Sequence, residues 1–157
     1  MTSAQSAAMV PTPPRTAKSF VVIVALVLSA VLAQVLASTP AQASAQHQLL
    51  RLINAARRHH GVHELRTGRR ATRLARRHSR RMARAQTLFH SSSLGRLGRW
   101  GENVGYTYRG VRSIHRAFMR SRDHRWNILN RSFRKVGIGV DRARGRLWVT
   151  EIFSSRG

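Results

Sequence analysis

The sequence predicts an α+β domain in which a small antiparallel sheet lies between layers of helices. Two observations support this fold class. Apolar residues recur at helical spacing in residues 44–60 and 69–87, in the first half of the domain. In residues 135–141 they alternate with small or polar residues, and a glycine-containing turn connects this stretch to a second strand at 146–153, which is typical of a β-hairpin. Helices that precede such a hairpin bury their apolar stripes by packing on the sheet.

Residues 1–43 have the pattern of a secretory signal peptide. A basic start is followed by an apolar run at residues 20–33, and Ala41-Gln42-Ala43 supplies a small-residue cleavage site. We therefore expect a secreted, extracellular protein whose folded domain spans residues 44–157. The alternative is an uncleaved membrane anchor, because the apolar stretch extends over residues 20–37 and approaches the length of a spanning helix.

The composition is strongly basic and contains no cysteine. The chain has 29 Lys or Arg against five Asp or Glu, for a net charge of +24. Such a surface attracts polyanions: anionic lipid, acidic cell-wall polymer or nucleic acid, of which a secreted location makes nucleic acid the least favoured. The alternative is that arginine simply fills solvated helix faces. The absence of cysteine excludes disulfides and lipoprotein attachment, so the domain must be stabilised by its core alone.

Two helices are predicted before the middle of the chain. The first covers residues 44–60, and Gly61 is expected to end it. The second covers residues 69–87 and carries arginine on every side except one apolar stripe. That stripe consists of Ala71, Leu74, Ala75, His78, Met82 and Ala85. It is rich in alanine and lacks an aromatic anchor, so we expect it to pack in the core rather than on a membrane. Within it, His78 is interpreted as a buried histidine with one hydrogen-bond partner.

The second half of the domain is predicted to contain short elements that end in the hairpin. These are a loop at 88–101, a strand at 102–108, a helix at 111–121 with Val111, Ile114, Ala117 and Phe118 inward, and hairpin strands at 135–141 and 146–153. Asp123 is expected to cap a short helical turn that carries residues 124–129. Gly137 and Gly139 share one face of the first hairpin strand, where a helix or a cleft can approach closely.

Three polar side chains are the candidate site residues. Glu102 is one of only five acids, and it lies between His90 and His124 in a Gly-Glu-Asn turn. We expect the fold to bring these three side chains together at one cleft. The expected neighbours of that cleft are Asn103, Ser121, Asp123 and Arg125.

Several short stretches, in a fixed order, carry a resemblance to a known family. They include Leu52-Ile53-Asn54-Ala55-Ala56-Arg57, Phe89-His90-Ser91, Gly101-Glu102-Asn103-Val104, His124-Arg125 with Asn127-Ile128-Leu129-Asn130, and Val136-Gly137-Ile138-Gly139. With them, the chain resembles the CAP superfamily (cysteine-rich secretory, antigen 5 and pathogenesis-related 1 proteins) in its short bacterial SCP-like form. The resemblance implies a three-layer α-β-α sandwich and a cleft lined by two histidines and two glutamates. His90, Glu102 and His124 fall on three of those positions, whereas Ser121 stands where the second glutamate is expected.

The candidate residues are compatible with more than one chemistry. Two imidazoles and a carboxylate are a ligand set for zinc or another divalent metal, although the missing glutamate and the positive field of the domain oppose cation binding. Arg120, Arg122 and Arg125 lie close to His124 in sequence, and their guanidinium groups favour an anion instead. Glu102 also serves as a structural brace if it accepts hydrogen bonds from both histidines.

Catalysis is the less favoured interpretation. Neither Ser91 nor Ser121 lies in a Gly-x-Ser-x-Gly turn, and no cysteine is present to act as the nucleophile. We therefore predict a secreted, non-enzymatic CAP domain that binds an anionic or lipid-like partner at the cell envelope through the cleft and the basic surface. The alternatives are a metal-dependent hydrolase using His90, Glu102 and His124, and a basic nucleic-acid-binding protein. The sequence leaves the ligand and the oligomeric state open.

Overall fold

A computed structural model describes residues 39–92, 94 and 97–156. The apolar run and the anchor predicted at residues 20–37 lie outside the described residues. The elements are α1 (Pro40–His59), β1 (Arg66–Thr67), α2 (Arg69–Ala85), β2 (Trp100–Thr107), α3 (Val111–Arg120), α4 (Arg122–Leu129), β3 (Lys135–Ala143) and β4 (Arg146–Ser154). Within the described part of the chain, no helix is long and apolar enough to cross a membrane.

The strands form one four-stranded sheet in the order β1-β3-β4-β2. β3 and β4 are the predicted hairpin, and β2 pairs antiparallel with β4 on its other side. The expected antiparallel sheet is therefore mixed, because the connector at residues 62–68 contains β1, which pairs parallel with the start of β3. Two residues are too few to show a periodic pattern, so the sequence does not reveal this strand.

Helices cover both faces of the sheet, as predicted. α2 packs on one face at Gly137 and Gly139, where an added Cβ would lie 2.0 Å from the backbone carbon of Ala71 and 2.1 Å from the carbonyl oxygen of Ala75, respectively. The opposite face carries the main apolar core, in which Val136, Ile138, Val140, Val149 and Phe153 pack with residues of α1, α3 and α4. The prediction that a helix or a cleft approaches the two glycines is confirmed for the helix.

Helix starts differ from the prediction where side chains cap the backbone. α1 begins at Pro40 rather than residue 44, because Thr39 and Gln42 form a reciprocal capping box. The predicted cleavage site at Ala43 therefore lies in the first turn of this helix. Asp123 was expected to cap the short helix α4, but the N-cap residue is Ser121, and Asp123 lies within the first turn. An acid at that position still interacts favourably with the helix dipole.

The inward-facing residues of two helices also differ from the prediction. Ala85 and Ala117 are exposed, whereas Ala83 and His115 are buried. α2 ends at Ala85, with Gln86 in the left-handed conformation, so Ala85 is in its last turn and no longer faces the sheet. Alanine and histidine are poor indicators of a buried face because both occur inside and outside the core.

Candidate functional site

The candidate site is built around the edge strand β2. Glu102 and Asn103 are neighbours in this strand, so their side chains point to opposite faces of the sheet. Glu102 faces α2 and the loop that follows it, whereas Asn103 faces α4. The Gly-Glu-Asn sequence, which was expected to be a turn, therefore contributes to two hydrogen-bond networks, one on each face.

The first network surrounds the carboxylate of Glu102. The Nδ1 atom of His90 lies 2.9 Å from Oε2, which also accepts a hydrogen bond of 2.8 Å from the backbone N–H of Ser91. The Ser91 hydroxyl donates a 2.6 Å hydrogen bond to Oε1. The Nε2 atom of His78 lies 4.0 Å from Oε1 and 2.8 Å from the carbonyl oxygen of Phe89. The side chain of Glu102 is 2% exposed and that of His90 is 64% exposed, so solvent reaches this network from the His90 side.

The second network lies on the other face of β2. The amide of Asn103 donates to the carboxylate of Glu151 at 3.0 Å and to the backbone carbonyl of His124 at 3.2 Å. The amide of Asn127 donates to the side-chain oxygen of Asn103 at 2.9 Å and to the carbonyl of Glu102 at 3.3 Å. A Cβ at Gly101 would lie 2.3 Å from the side-chain oxygen of Asn127, so glycine is required for this close approach.

His124 belongs to the second face. Its Nδ1 atom lies 2.9 Å from the hydroxyl of Ser121, and its ring lies against Phe118 with centroids 4.8 Å apart. Burial lowers the pKa of His124, the nearby charge of His90 lowers it further, and Asp123 opposes both effects. The two histidines are therefore close enough to interact, and the lowered pKa favours the neutral form of His124.

Glu151 is a buried acid that the sequence interpretation missed. It is fully buried in β4, and burial raises its pKa to about 7, although the hydrogen bond from Asn103 opposes the shift. Its Oε1 atom has no hydrogen-bond partner among the described residues. The signal was present in the sequence, because Glu151 is the only acid in a mainly apolar hairpin strand.

The structure brings His90 and Glu102 into contact, with Ser91 and His78 beside them. Among residues 39–92, 94 and 97–156, no three His, Asp or Glu side chains are placed to hold one metal ion. Both oxygens of Glu102 already accept hydrogen bonds, and no contact joins His124 to that carboxylate. The predicted zinc ligand set of His90, Glu102 and His124 is therefore not preassembled among these residues, and metal binding there stays a prediction. Asp123 and Arg125 lie exposed on α4.

The basic surface is most concentrated on α2. Eight of its 17 residues are arginine, and none of the eight is buried. Within the described part of the chain, only Arg80 among them lies within 4.0 Å of an acid, at 3.9 Å from Asp141. Arg76 donates a hydrogen bond of 2.9 Å to Gln46. The remaining six arginines form a cationic face directed away from the sheet: Arg69, Arg70, Arg73, Arg77, Arg81 and Arg84.

Comparison with protein families and solved structures identifies relatives of this fold. Residues 50–153 match the family profile described as CAP, cysteine-rich secretory protein family. An extracellular SCP-domain protein of Bacillus anthracis is similar over 77% of this chain, with 23% identity and a TM-score of 0.67. An outer surface protein of Borrelia burgdorferi is similar over 73% of this chain, with 13% identity and a TM-score of 0.66. A cysteine-rich secretory protein of Staphylococcus aureus is similar over 76% of this chain, with 17% identity and a TM-score of 0.57.

The matched share of each relative's own length differs among the three structures. The chain covers 45% of the Bacillus protein, 41% of the Staphylococcus protein and 94% of the Borrelia protein. No curated protein matches the sequence. At such identities the solved structures establish the fold, and they confirm the predicted α-β-α arrangement.

Proposed function

Because the chain belongs to the CAP family of cysteine-rich secretory proteins, we propose that it is an exported domain that binds an anionic partner at the cell envelope through its arginine surface, without catalysing a reaction. The extracellular and outer-surface location named for two of the structural relatives supports the export part of this proposal. The leader pattern in residues 1–43 supports it independently.

The observation that carries the proposal is the cationic face of α2. Five pairs of arginines stand four residues apart on this helix, from Arg69–Arg73 to Arg80–Arg84. Like charges at that spacing destabilise a helix, and basic residues in its first turn interact unfavourably with the helix dipole. A polyanion that covers this face removes both penalties, because its negative charges neutralise the guanidinium groups.

The alternative of a metal-dependent hydrolase has less support in the geometry. A metal at His90, Glu102 and His124 would have to displace the hydrogen bonds from Ser91 to the carboxylate. The hydroxyl of Ser91 donates to Glu102 and no described histidine accepts its proton, so it is not activated as a nucleophile. The Glu102 network is instead satisfied internally, as a structural brace requires.

The test compares two sets of charge variants of the domain from residue 39 onward. Arg73, Arg77 and Arg84 are replaced together by Gln in one set, and three scattered exposed arginines, Arg51, Arg66 and Arg109, in the other. Retention on isolated cell wall and on anionic vesicles is measured from low to high salt. We expect salt-sensitive retention that falls markedly more in the α2 set than in the control set. Equal losses in both sets, or no salt-sensitive retention of the unmodified domain, would rule out the α2 face as the binding surface.

A further inference from the structure

The outer face of α4 carries a second cationic surface, which differs from the cationic face of α2 because it includes an exposed tryptophan. Arg122, Arg125, Trp126 and Leu129 follow one another at helical spacing, so they share one face of the helix. Together with Asn130 and Arg131 they line a surface groove of about 550 Å³. Trp126 is 63% exposed in this groove, although tryptophan is one of the most costly side chains to leave in water.

The groove is held in place by the core beneath it. The ring of Trp126 meets buried Phe133 edge-on, with centroids 6.5 Å apart. The buried guanidinium of Arg57 donates hydrogen bonds to the carbonyls of Ile128 and Asn130, at 2.6 and 3.1 Å, where α4 ends. Because these contacts fix the end of the helix, the groove is formed before any partner binds, and little ordering is required on binding.

The chemistry of the groove combines an apolar floor with a cationic rim. Three guanidinium groups, of Arg122, Arg125 and Arg131, surround Trp126 and Leu129. Asp123 is the only acid of α4, and it is not among the lining residues. Arginine binds phosphate through paired hydrogen bonds. Tryptophan prefers the boundary between lipid headgroups and acyl chains, where its ring is apolar and its N–H remains hydrated.

We propose that this groove docks the domain onto an anionic phospholipid bilayer. Trp126 and Leu129 enter the headgroup region, and Arg122, Arg125 and Arg131 bind the lipid phosphates. The inference rests on the proposed function and specifies the partner, because a soluble polyanion is bound by the arginines of α2 without any apolar contact. Of the two cationic surfaces, only this groove includes an exposed tryptophan, which a bilayer covers and a polyanion does not.

The test uses the intrinsic tryptophans of the complete chain as position-specific reporters. Residues 1–38 contain no tryptophan, so the apolar leader adds no fluorescence of its own, and attachment of the chain through the leader affects both variants equally. The Trp100→Phe variant retains Trp126 and the buried Trp148, and the matched Trp126→Phe variant retains the 47% exposed Trp100 and Trp148. Each variant is mixed with vesicles of phosphatidylcholine alone or with phosphatidylglycerol, in which the acyl chains carry bromine to quench tryptophan on contact.

We expect phosphatidylglycerol vesicles to quench the Trp100→Phe chain strongly and the Trp126→Phe chain weakly, whereas phosphatidylcholine vesicles quench neither strongly. Replacing Arg122, Arg125 and Arg131 together by Gln should raise the anionic lipid needed for half-maximal quenching about a hundredfold, because each arginine adds to the attraction of the surface. All three side chains are exposed, and circular dichroism verifies that the variant remains folded.

Several results would overturn the inference. Equal quenching of the two tryptophan variants would place Trp126 away from the lipid. A Trp126 emission shift that depends on protein concentration without vesicles would assign the groove to a second copy of the chain, and a shift with soluble polyphosphate alone would assign it to a polymer. If α2-dependent binding to an anionic polymer persists without lipid contact at Trp126, only this inference fails. If both are absent, the proposed function fails as well.

Discussion

Reversing the charge of Arg73 should stabilise the folded domain while it weakens binding to a polyanion. Arg73 is exposed in α2, with Arg69 and Arg77 four residues away and Arg70 and Arg76 three residues away. Each like-charge pair at this spacing costs about 0.2–0.5 kcal/mol, and an opposite-charge pair contributes a similar amount of stability. One glutamate cannot pair with four arginines at once, so the gains do not simply add. We therefore expect Arg73→Glu to raise the free energy of unfolding by about 1–2 kcal/mol. Arginine and glutamate have similar helix propensities, so the backbone contributes little to the difference.

Urea denaturation at low salt measures the effect against a matched control. Arg109→Glu makes the same change in net charge outside any helix, in the exposed turn before α3, where Arg112 is the only charged residue three or four positions away. The difference between the two variants therefore isolates the repulsion within α2. It should shrink in high salt, since the screening length falls from about 30 Å at 0.01 M to about 3 Å at 1 M.

Two results would refute this reasoning. If Arg73→Glu is no more stable than Arg109→Glu at low salt, the arginines of α2 do not repel one another enough to matter. If Arg73→Glu is stabilised but binds anionic polymer as tightly as the unmodified domain, the cationic face of α2 is not the binding surface. In the second case the concentration of arginine on this helix has no role in binding.

Three further predictions follow from buried contacts. Because burial raises the pKa of Glu151 from 4.5 to about 7, the folded state holds a proton that the unfolded state releases between these pH values. The contribution of Glu151 to stability should therefore fall by roughly 3 kcal/mol as pH rises through this window, and urea titrations should show that Glu151→Gln lacks this contribution. Gly139→Ala should destabilise by roughly 3 kcal/mol or more in thermal unfolding, since its Cβ would lie 2.1 Å from the carbonyl oxygen of Ala75. A chain beginning at residue 44 should be less stable than one beginning at residue 38 by about 1 kcal/mol in the same assay, because it lacks the capping box of Thr39.

The elements that sequence alone predicted well are those with a strong periodic pattern. The first hairpin strand, β3, alternates from Val136 to Val140, so the position of the hairpin and its inward face at Val136, Ile138 and Val140 match the prediction. α2 was recognised because its arginines leave one apolar stripe. Gly137 and Gly139 indicated a close approach, although their spacing does not say whether a helix or a ligand makes it.

Elements without periodicity or with long-range partners were missed. β1 has two residues and exists because it pairs with the start of β3, almost 70 positions away. The fully buried Arg57, whose pKa burial lowers to about 10, forms hydrogen bonds to backbone carbonyls near the end of α4 rather than to an acid. No local pattern distinguishes it from the exposed arginines around it. Both features depend on tertiary contacts, which sequence spacing does not encode.

The candidate site shows how the alternation of side chains along a strand limits which residues of a sequence motif can meet. Glu102 and Asn103 are adjacent, so a strand at this position directs one toward α2 and the other toward α4. His90 and His124 then contact different faces: the first meets the carboxylate of Glu102, and the second is linked to Asn103 through its backbone carbonyl. The expected convergence of both histidines on the carboxylate of Glu102 did not take account of this alternation of side chains along the strand.

The strand couples the two networks through its backbone. Asn127 donates to the carbonyl of Glu102 and to the side chain of Asn103, whose own amide donates to Glu151. A change in the protonation of Glu151 therefore acts on the hydrogen bonds that hold β2 against α4. Such a change affects the contact between His90 and Glu102 only by shifting the strand, because Glu151 does not contact Glu102 directly. A single cleft with three convergent ligands would respond as one unit, whereas in this arrangement the stability changes caused by Glu151→Gln and Glu102→Gln should add in a double-mutant cycle.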